Sequence, residues 1–141
     1  MTSHLTRLPA PDGVFPATAY THVVLGTGRF VAISGQLALD EGGGLVGADD
    51  PVAQARQVFT NLGRCLAAAG ATFDDVVKLT YFLVDIAHLD AVRTVRGEFL
   101  DPTRLPASSA VQVGALVAPQ FLMEIEAYAV VAEPAAPATD G

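Results

Sequence analysis

The sequence predicts an α+β domain in which two helices lie on one face of a mixed β-sheet. Two segments, 49–70 and 89–100, place apolar residues at helical spacings of three and four. The other apolar segments are rich in Val and Ile, or they alternate between apolar and polar residues as strands do. The chain has 141 residues, of which 51% are hydrophobic and 16% are charged, so it can form a single domain with its own core.

The first elements follow a segment that has no periodicity. Residues 1–14 are rich in proline and polar groups, and we expect a loosely held arm there, before a domain that spans 15–131. The stretch THVVLGTGRFVAISGQLAL, residues 21–39, has two β-rich runs on either side of Gly26–Gly28 and predicts a hairpin. Three consecutive glycines in DEGGGLVG, residues 40–47, predict a flexible turn after it.

The first helix has the clearest boundaries in the sequence. Asp49 or Asp50 can cap its free N–H groups, and Pro51 suits the first helical turn. Gly70 can adopt a left-handed conformation and so end the helix. The apolar face of this helix is predicted to consist of Val52, Ala55, Phe59, Leu62, Leu66 and Ala69.

The second half of the chain contains a strand, a helix and two further strands. DDVVKLTYFLVDI, residues 74–86, is apolar on both faces, which is typical of a central strand or of one at an interface. LDAVRTVRGEFL, residues 89–100, has helical spacing and ends at Asp101–Pro102, because proline disfavours helical conformation in the preceding residue. SSAVQVGALV and FLMEIEAYAVV alternate as strands around a turn at Pro119. Residues 132–141 are predicted to be a disordered tail.

The predicted order of elements is therefore β-β-α-β-α-β-β. Two helices can cover one face of the sheet, and no third helix is available for the other face. A second copy of the chain is the simplest cover for it, and the high apolar fraction of so short a chain also favours subunit contacts. We therefore expect a homo-oligomer.

Charge and composition argue against several classes of partner. The net charge is −7, and eight basic residues are scattered among fifteen acidic ones, so the chain has no basic surface for nucleic-acid phosphates. The single cysteine, Cys65, excludes a disulfide or a cysteine-based metal site within one chain. No apolar run reaches transmembrane length, and the start MTSHLTRLPAPDG lacks the apolar segment of a signal peptide. We expect a soluble cytoplasmic protein that binds neither nucleic acid nor membrane.

Six motifs, in their order and spacing, resemble one known family over residues 15–131. They are ISGQ (33–36), QAR (54–56), AAAG (67–70), VVKLTYFLVDI (76–86), LPASSAVQV (105–113) and MEIEAYAV (123–130). The family is the Rid proteins, the reactive intermediate deaminases, also called YjgF-like or endoribonuclease L-PSP proteins. The resemblance implies a chorismate-mutase-like two-layer domain that forms a homotrimer around a central β-barrel. It also implies small-molecule sites between subunits, and neither a metal nor a cofactor.

The chemistry that the resemblance implies is the hydrolysis of enamines and imines to 2-oxo acids and ammonia. In such members an arginine holds the substrate carboxylate, while a glutamate and backbone groups position the attacking water. An imine is already electrophilic, so the protein need only orient it, place a water and manage one proton. A guanidinium is suited to a carboxylate because it can bind both oxygens at once.

Carried over to this sequence, the resemblance gives the water-positioning role to Glu126. Glu124 points to the same face by strand alternation, and the alternative for both is a solvent-facing acidic pair. Ser34 with Gly35 and Gln36 matches the cleft segment, where serine and adjoining backbone serve the ligand. The alternative there is a strand end that requires small residues.

Tyr20 matches a tyrosine that closes over the ligand from the N-terminal loop, and its alternative is a half-buried aromatic at a subunit seam. Nearby His22 is expected to be structural or exposed.

The sequence departs from the family pattern at the substrate anchor. Members that hydrolyse imines have Pro-Ala-Arg-Ser where this chain has Pro-Ala-Ser-Ser, so Ser108 replaces the arginine beside Ser109. A hydroxyl can donate one hydrogen bond, but it carries no charge. Arg93 stands where the family often has asparagine, and it either reaches the cleft from another wall or lies on the helix surface. Arg104 is expected to face solvent.

These residues leave several functions open. The first is a Rid-type enzyme that acts on an enamine, an imine or a related amine-derived metabolite, with weak or no activity on 2-aminoacrylate. The second is a diverged enzyme of a catabolic or specialised pathway, such as an aminomuconate-type deaminase, a cyclase or an isomerase. The third is a non-catalytic ligand-binding or chaperone-like trimer. The endoribonuclease activity in the family's older name has the least support, because the chain is acidic.

Overall fold

The computed structural model describes residues 3–134, which contain two α-helices and six strands. A four-stranded sheet carries both helices, and a separate two-stranded ribbon lies at the N-terminus. In chain order the elements are β1 (Leu5–Leu8), β2 (Val23–Gly26), β3 (Arg29–Gln36), α1 (Pro51–Ala68), β4 (Val76–Leu83), α2 (Leu89–Arg96), β5 (Ala107–Gln112) and β6 (Met123–Val131).

The main sheet has the strand order β3-β6-β4-β5 and is mixed. β6 pairs antiparallel with both β3 and β4, whereas β4 and β5 are parallel. The parallel pair follows from the chain path, because two parallel neighbours need a crossover connection and α2 provides it. The α+β class, the mixed sheet and the two helices are as predicted.

The core lies between the helices and one face of the sheet. Burial alternates along β6, where Met123, Ile125 and Ala127 are buried and the residues between them are half-buried. β4 shows the same alternation, with Leu79 and Tyr81 on the buried side. The second face of the sheet is therefore covered by neither helix, as expected from the helix count.

Helix α1 begins and ends as its sequence predicts. The Asp50 carboxylate accepts a hydrogen bond from the Ala53 N–H at 3.1 Å, and Pro51 is the first helical residue. Gly70 has a φ of +72°, which glycine adopts without strain. The predicted apolar face differs at Val52, which is 38% exposed.

Gln54 is a fully buried polar residue on α1 that fastens two loops to the helix. Its amide donates to the carbonyl oxygens of Gly47 at 3.1 Å and Gln120 at 3.0 Å. Its side-chain oxygen accepts from the Leu122 N–H at 2.9 Å. Because a buried amide needs partners for both of its ends, this residue sets the positions of the loop before α1 and the loop before β6.

The predicted hairpin over 21–39 is wrong, and the N-terminal segment is more ordered than expected. β2 pairs with β1, whereas β3 pairs with β6, so the two runs belong to different sheets. Gly28, between the two runs, does not form a hairpin turn but lets β3 start close to the end of β6. A Cβ at Gly28 would overlap the carbonyl oxygen of Val131, and its φ is +149°. This glycine serves a close approach of two backbones, and the β1–β2 ribbon adds one strand to the predicted order.

The C-terminal boundaries differ in detail from the predicted ones. α2 ends at Arg96, although Phe99 and Leu100 still pack against the core in the turn that follows. Residues 132–134 lie outside any strand, and the rest of the predicted tail, 135–141, lies outside the described residues. Neither helix in the described part of the chain is long and apolar enough to cross a membrane.

Replacing Gln54 with leucine tests the anchoring role of this residue. Gln54→Leu leaves two carbonyl oxygens and one N–H without their partners in part-buried positions, so we expect a loss of about 2–4 kcal/mol in the free energy of unfolding. Urea denaturation measures it. Gln120→Leu is the matched control, because this residue is exposed. Equal losses in the two variants would contradict the anchoring role.

Candidate functional site

A β-bulge lies where β3 passes the acidic segment of β6. Ile33 pairs with Ala127 and Gln36 pairs with Ile125, so two residues of β3, Ser34 and Gly35, lie opposite Glu126 alone. A bulge adds one residue to a strand and changes the direction of the nearby side chains, which is why bulges are frequent next to active sites.

The carboxylate of Glu124 lies directly against the backbone of Gly35. A Cβ at Gly35 would overlap the Glu124 carboxylate, so only glycine leaves room for this contact. Glu124 and Glu126 are both half-buried on the face of β6 that points away from the helices, as strand alternation predicts. We call Ser34, Gly35, Glu124 and Glu126 the carboxylate cluster. The Glu124 side chain thus lies against Gly35, while Glu126, to which the resemblance gives the water-positioning role, lies opposite Ser34 and Gly35 across the strand pair.

Gln36 is the last residue of β3 and lies next to this cluster. Its side-chain amide donates to the Ser34 carbonyl oxygen at 3.0 Å. Gln36 and Ser34 line a groove of about 410 Å³ between β3 and α1, which Cys65 closes on the helix side. A second groove of about 630 Å³ continues past Gln36 towards Asn61.

The two serines of β5 point to opposite faces of the sheet. Ser108 pairs in register with the buried Leu79 and so lies on the helix side. Ser109 pairs with Thr80 on the other side, where its hydroxyl accepts a hydrogen bond from the Lys78 ammonium at 2.9 Å. The two binding candidates therefore do not face one ligand within a single chain.

Tyr20 lies in a loop that is fastened to the start of β5. The next residue, Thr21, donates from its N–H to the Pro106 carbonyl oxygen at 3.1 Å and from its hydroxyl to the Leu105 carbonyl oxygen at 2.6 Å. On the other side, the Arg96 guanidinium donates to the Ala19 carbonyl oxygen at 2.9 Å. Tyr20 is thus held beside the strand that carries Ser108, although it lines a separate pocket of about 290 Å³.

His22 supports this loop. Its ring packs edge to face against Tyr20, with 5.1 Å between the ring centroids. The Nε2 atom of His22 lies 2.6 Å from the Phe15 carbonyl oxygen, so this nitrogen carries the proton and donates it. The contacts are those of a structural histidine, as expected.

The last turn of α2 brings positive charge to the same region. Arg93 is exposed and Arg96 is half-buried, and both lie near Tyr81 on β4. The Tyr81 hydroxyl is buried and has no hydrogen-bond partner in residues 3–134. Burial raises the pKa of Tyr81, while the nearby charges of Arg96 and Arg93 act in the opposite direction.

We call Tyr20, Tyr81, Arg93, Arg96 and Ser108 the arginine cluster. Sequence reasoning missed Tyr81 and Arg96. The one signal in the sequence was a tyrosine on the face of a strand that is otherwise apolar. Arg104 is excluded from the cluster because it pairs with Asp74 and Asp101 on the surface, both at 3.2 Å.

The two clusters do not meet within one chain. Glu124 and Glu126 lie on β6, which is two strand spacings, about 10 Å, from β5. Ser108 also lies on the helix side, whereas the two glutamates lie on the other face. One chain therefore has a carboxylate pair that can hold a water and exchange protons, and a separate group of guanidiniums that can bind an anion. In the described residues, no three His, Cys, Asp or Glu side chains are grouped to hold a metal ion.

Comparison with known proteins identifies relatives that match almost the whole chain. Residues 12–131 match the family described as Endoribonuclease L-PSP. A 2-iminobutanoate/2-iminopropanoate deaminase of Capra hircus is 40% identical over 127 residues, covering 89% of this chain and 88% of that protein. A RutC family protein of Synechocystis is 37% identical over 125 residues, covering 88% of this chain and 91% of that protein.

A solved structure agrees with these sequence matches. The conserved Rid family protein YyfB of Yersinia pestis superposes with a TM-score of 0.80 at 36% sequence identity, covering 92% of this chain and 100% of that chain. The motifs, the fold and the relatives therefore agree, and the chain belongs to the Rid family, the YjgF or endoribonuclease L-PSP proteins.

Proposed function

We propose that this protein is a Rid-type deaminase that hydrolyses a small imine or enamine in clefts between the subunits of a homotrimer. The observation that carries the proposal is the placement of the two clusters on opposite faces of one sheet, with the glutamates on the uncovered face and Ser108 and Tyr81 on the helix side. A neighbouring copy that brings its β3 edge to the β5 edge of the first completes a site with both an anion-binding wall and a carboxylate wall. Relatives named 2-iminobutanoate/2-iminopropanoate deaminase support the reaction class.

The uncovered face of the sheet is the surface through which the copies associate. Phe30 is 68% exposed on this face and stacks on Tyr128, with 5.6 Å between the ring centroids. Val111 on β5 is 42% exposed on the same side. Three copies that bury these faces form a central barrel of sheets, which removes large apolar side chains from water.

The hydrolysis assigns separate tasks to the carboxylate cluster. Glu124 holds the attacking water, because its carboxylate is fixed against Gly35 and the backbone of the bulge. The water oxygen adds to the imine carbon, and Glu124 takes one of its protons and returns it to nitrogen. The resulting carbinolamine then expels ammonia and leaves a carbonyl group, so one imine and one water give one 2-oxo acid and one ammonia. Ser34 contributes a hydroxyl hydrogen bond at the same bulge.

Ser108 changes the range of substrates. An arginine on β5 would hold a carboxylate bonded directly to the imine carbon, and a serine offers no charge at that point. The smallest imino acids are then bound in less favourable positions relative to the water, and small displacements of reacting groups are costly to the rate.

A diverged enzyme is the second candidate, and the same serine is the observation that favours it. A substrate that is larger, or uncharged near the reacting carbon, does not need the β5 arginine. An aminomuconate-type deaminase, a cyclase or an isomerase would use the same carboxylate cluster on such a substrate.

Subunit association is tested by a charge on the uncovered face. Phe30→Asp places a carboxylate where three sheets are to pack, so we expect the trimer to dissociate into smaller species. Analytical ultracentrifugation measures the mass. Phe15→Asp is the matched control, because Phe15 is 86% exposed and lies outside the sheet. A wild-type monomer at micromolar concentration would contradict the proposed assembly.

The consequence of Ser108 is tested by comparing rates. With 2-iminobutanoate and 2-aminoacrylate generated by a dehydratase, we expect this protein to release ammonia at roughly a tenth or less of the rate of the Capra hircus deaminase. The comparison uses equal concentrations of both proteins. Equal rates would show that the β5 arginine is dispensable for these substrates.

The choice between the two glutamates is tested by removing each charge. Glu124→Gln keeps the shape of the side chain and removes the proton acceptor, so we expect the rate to fall about 100-fold or more. Glu126→Gln is the matched variant on the same strand face, and we expect a loss of less than about tenfold. A larger loss in Glu126→Gln would return the water-positioning role to that residue.

A further inference from the structure

We infer that the anion anchor of this protein lies on α2 instead of β5: Arg96, packed against Tyr81 and flanked by Arg93, binds a carboxylate of the ligand. The inference depends on the proposed function for the location of the cleft, and what it adds is the position of the group that binds the carboxylate. It assigns binding to Arg96 and Tyr81, which neither the sequence motifs nor the names of the relatives indicate.

The first observation is the unsatisfied hydroxyl of Tyr81. Tyr81 is 2% exposed, and its hydroxyl has no hydrogen-bond partner in the described residues. Arg96 lies within reach of this oxygen, but not in hydrogen-bond geometry. A buried hydroxyl without a hydrogen-bond partner destabilises the fold. A ligand that supplies the missing hydrogen bond would explain why a tyrosine stands at this position.

The second observation is positive charge without counter-ions. In residues 3–134, neither Arg93 nor Arg96 forms an ion pair, and the same holds for Arg7, Arg29 and Arg64, whereas Arg56 and Arg104 are paired with carboxylates. Arg93 and Arg96 are the two that lie together, in the last turn of α2, where their charges also interact favourably with the helix dipole. The dipole accounts for the positive charge there, but it does not require Arg96 to be half-buried and held by a backbone carbonyl.

The third observation is the fixed position of Arg96. One of its nitrogens, Nη1, donates to the Ala19 carbonyl oxygen at 2.9 Å, next to Tyr20. A guanidinium has five N–H donors, so this bond leaves donors for a ligand while it holds the group in place. The side chain is therefore oriented before any ligand arrives, which lowers the entropy lost on binding.

Ser108 provides the space for such an anchor. It lies on the same face as Tyr81, one side-chain repeat along the parallel β4–β5 pair, because Leu79 pairs with Ser108 and Tyr81 pairs with Ala110. Both β5 residues on this face are small. With no long side chain from β5 on this face, the long side chains there are Arg96 from α2 and Tyr81 from β4.

The chemistry of the two groups selects the ligand class. A tyrosine hydroxyl that is in contact with a guanidinium can donate its own proton, and the guanidinium only donates. A carboxylate accepts hydrogen bonds without donating any, so it satisfies both groups at once and neutralises the charge. An amine or an amide would leave the positive charge without a partner.

The closing experiment measures binding of 2-oxobutanoate to the assembled full-length protein by titration, with 2-oxobutanamide as the neutral probe of the same skeleton. We expect Arg96→Gln to weaken 2-oxobutanoate binding about 10- to 100-fold and to leave 2-oxobutanamide binding unchanged. Arg96→Lys keeps the charge but loses the planar guanidinium, so its affinity for 2-oxobutanoate should lie between those of the wild type and Arg96→Gln. Arg56→Gln is the control for the change in net charge, and its binding should stay within about twofold of the wild type.

Tyr81→Phe separates a binding role from a structural one. It removes only the unsatisfied hydroxyl, so the melting temperature of the ligand-free protein should stay the same or rise, while 2-oxobutanoate binding falls about three- to tenfold. A lower melting temperature with unchanged binding would assign Tyr81 to the core alone and overturn its part in the inference. Should Arg96→Gln fail to fold, the Arg96→Lys and Tyr81→Phe measurements decide.

The outcomes separate this inference from the proposed function. Arg96-dependent binding of 2-oxobutanoate without any imine hydrolysis would support the anchor and overturn the deaminase. Imine hydrolysis with an unchanged KM in Arg96→Gln would support the deaminase and overturn the anchor. A wild-type protein that binds 2-oxobutanoate no better than 2-oxobutanamide would also overturn the anchor.

Discussion

The structure depends on the close pairing of β3 with β6. This pairing joins the first third of the chain to its last strand, and two glycines make it possible. Gly28 lets the β3 backbone begin against Val131, and Gly35 leaves room for the Glu124 carboxylate. With a side chain at either glycine, the strands would have to move apart, and the bulge would lose its position beside the glutamates. The same pairing directs β2 away to the β1 ribbon.

The two faces of the sheet then determine how a site can be built. Ser108 and Tyr81 lie on the helix side and the two glutamates lie on the other face, so these groups cannot meet around one small molecule within one chain. Under the proposed function each chain holds two half-sites, and a shared cleft between chains would use both of them in every subunit. Assembly and ligand binding are coupled in such an arrangement, since anything that separates the subunits also separates the carboxylates from the arginines.

Much of the fold could be predicted from the sequence, because local signals and burial agree there. The cap at Asp50, the proline after it and Gly70 fix α1, and alternation gave the faces of β4 and β6. The hairpin at 21–39 failed because a glycine that serves a close approach looks the same in a sequence as a glycine in a turn. The ribbon partner of β2 was missed since β1 has only four residues between proline and polar segments.

The site was predictable only in part, for a different reason. Alternation places Glu124 and Glu126 on one face, but the bulge decides which carboxylate lies over Gly35, and a bulge has no sequence signature here. Arg96 and Tyr81 come together through the packing of α2 on the sheet, and their separation along the chain gives no hint of it. Contacts between elements that are far apart in the sequence therefore could not be predicted from its hydrophobic pattern.

The crossover from β4 through α2 to β5 has a consequence for how this scaffold can diversify. Residues 81–108 include Tyr81, Arg93, Arg96 and Ser108, so the arginine cluster, apart from Tyr20, comes from one continuous stretch. The glutamates of the carboxylate cluster belong to β6, outside that stretch. Substitutions within residues 81–108 could therefore change which ligand is bound without changing the glutamates of β6.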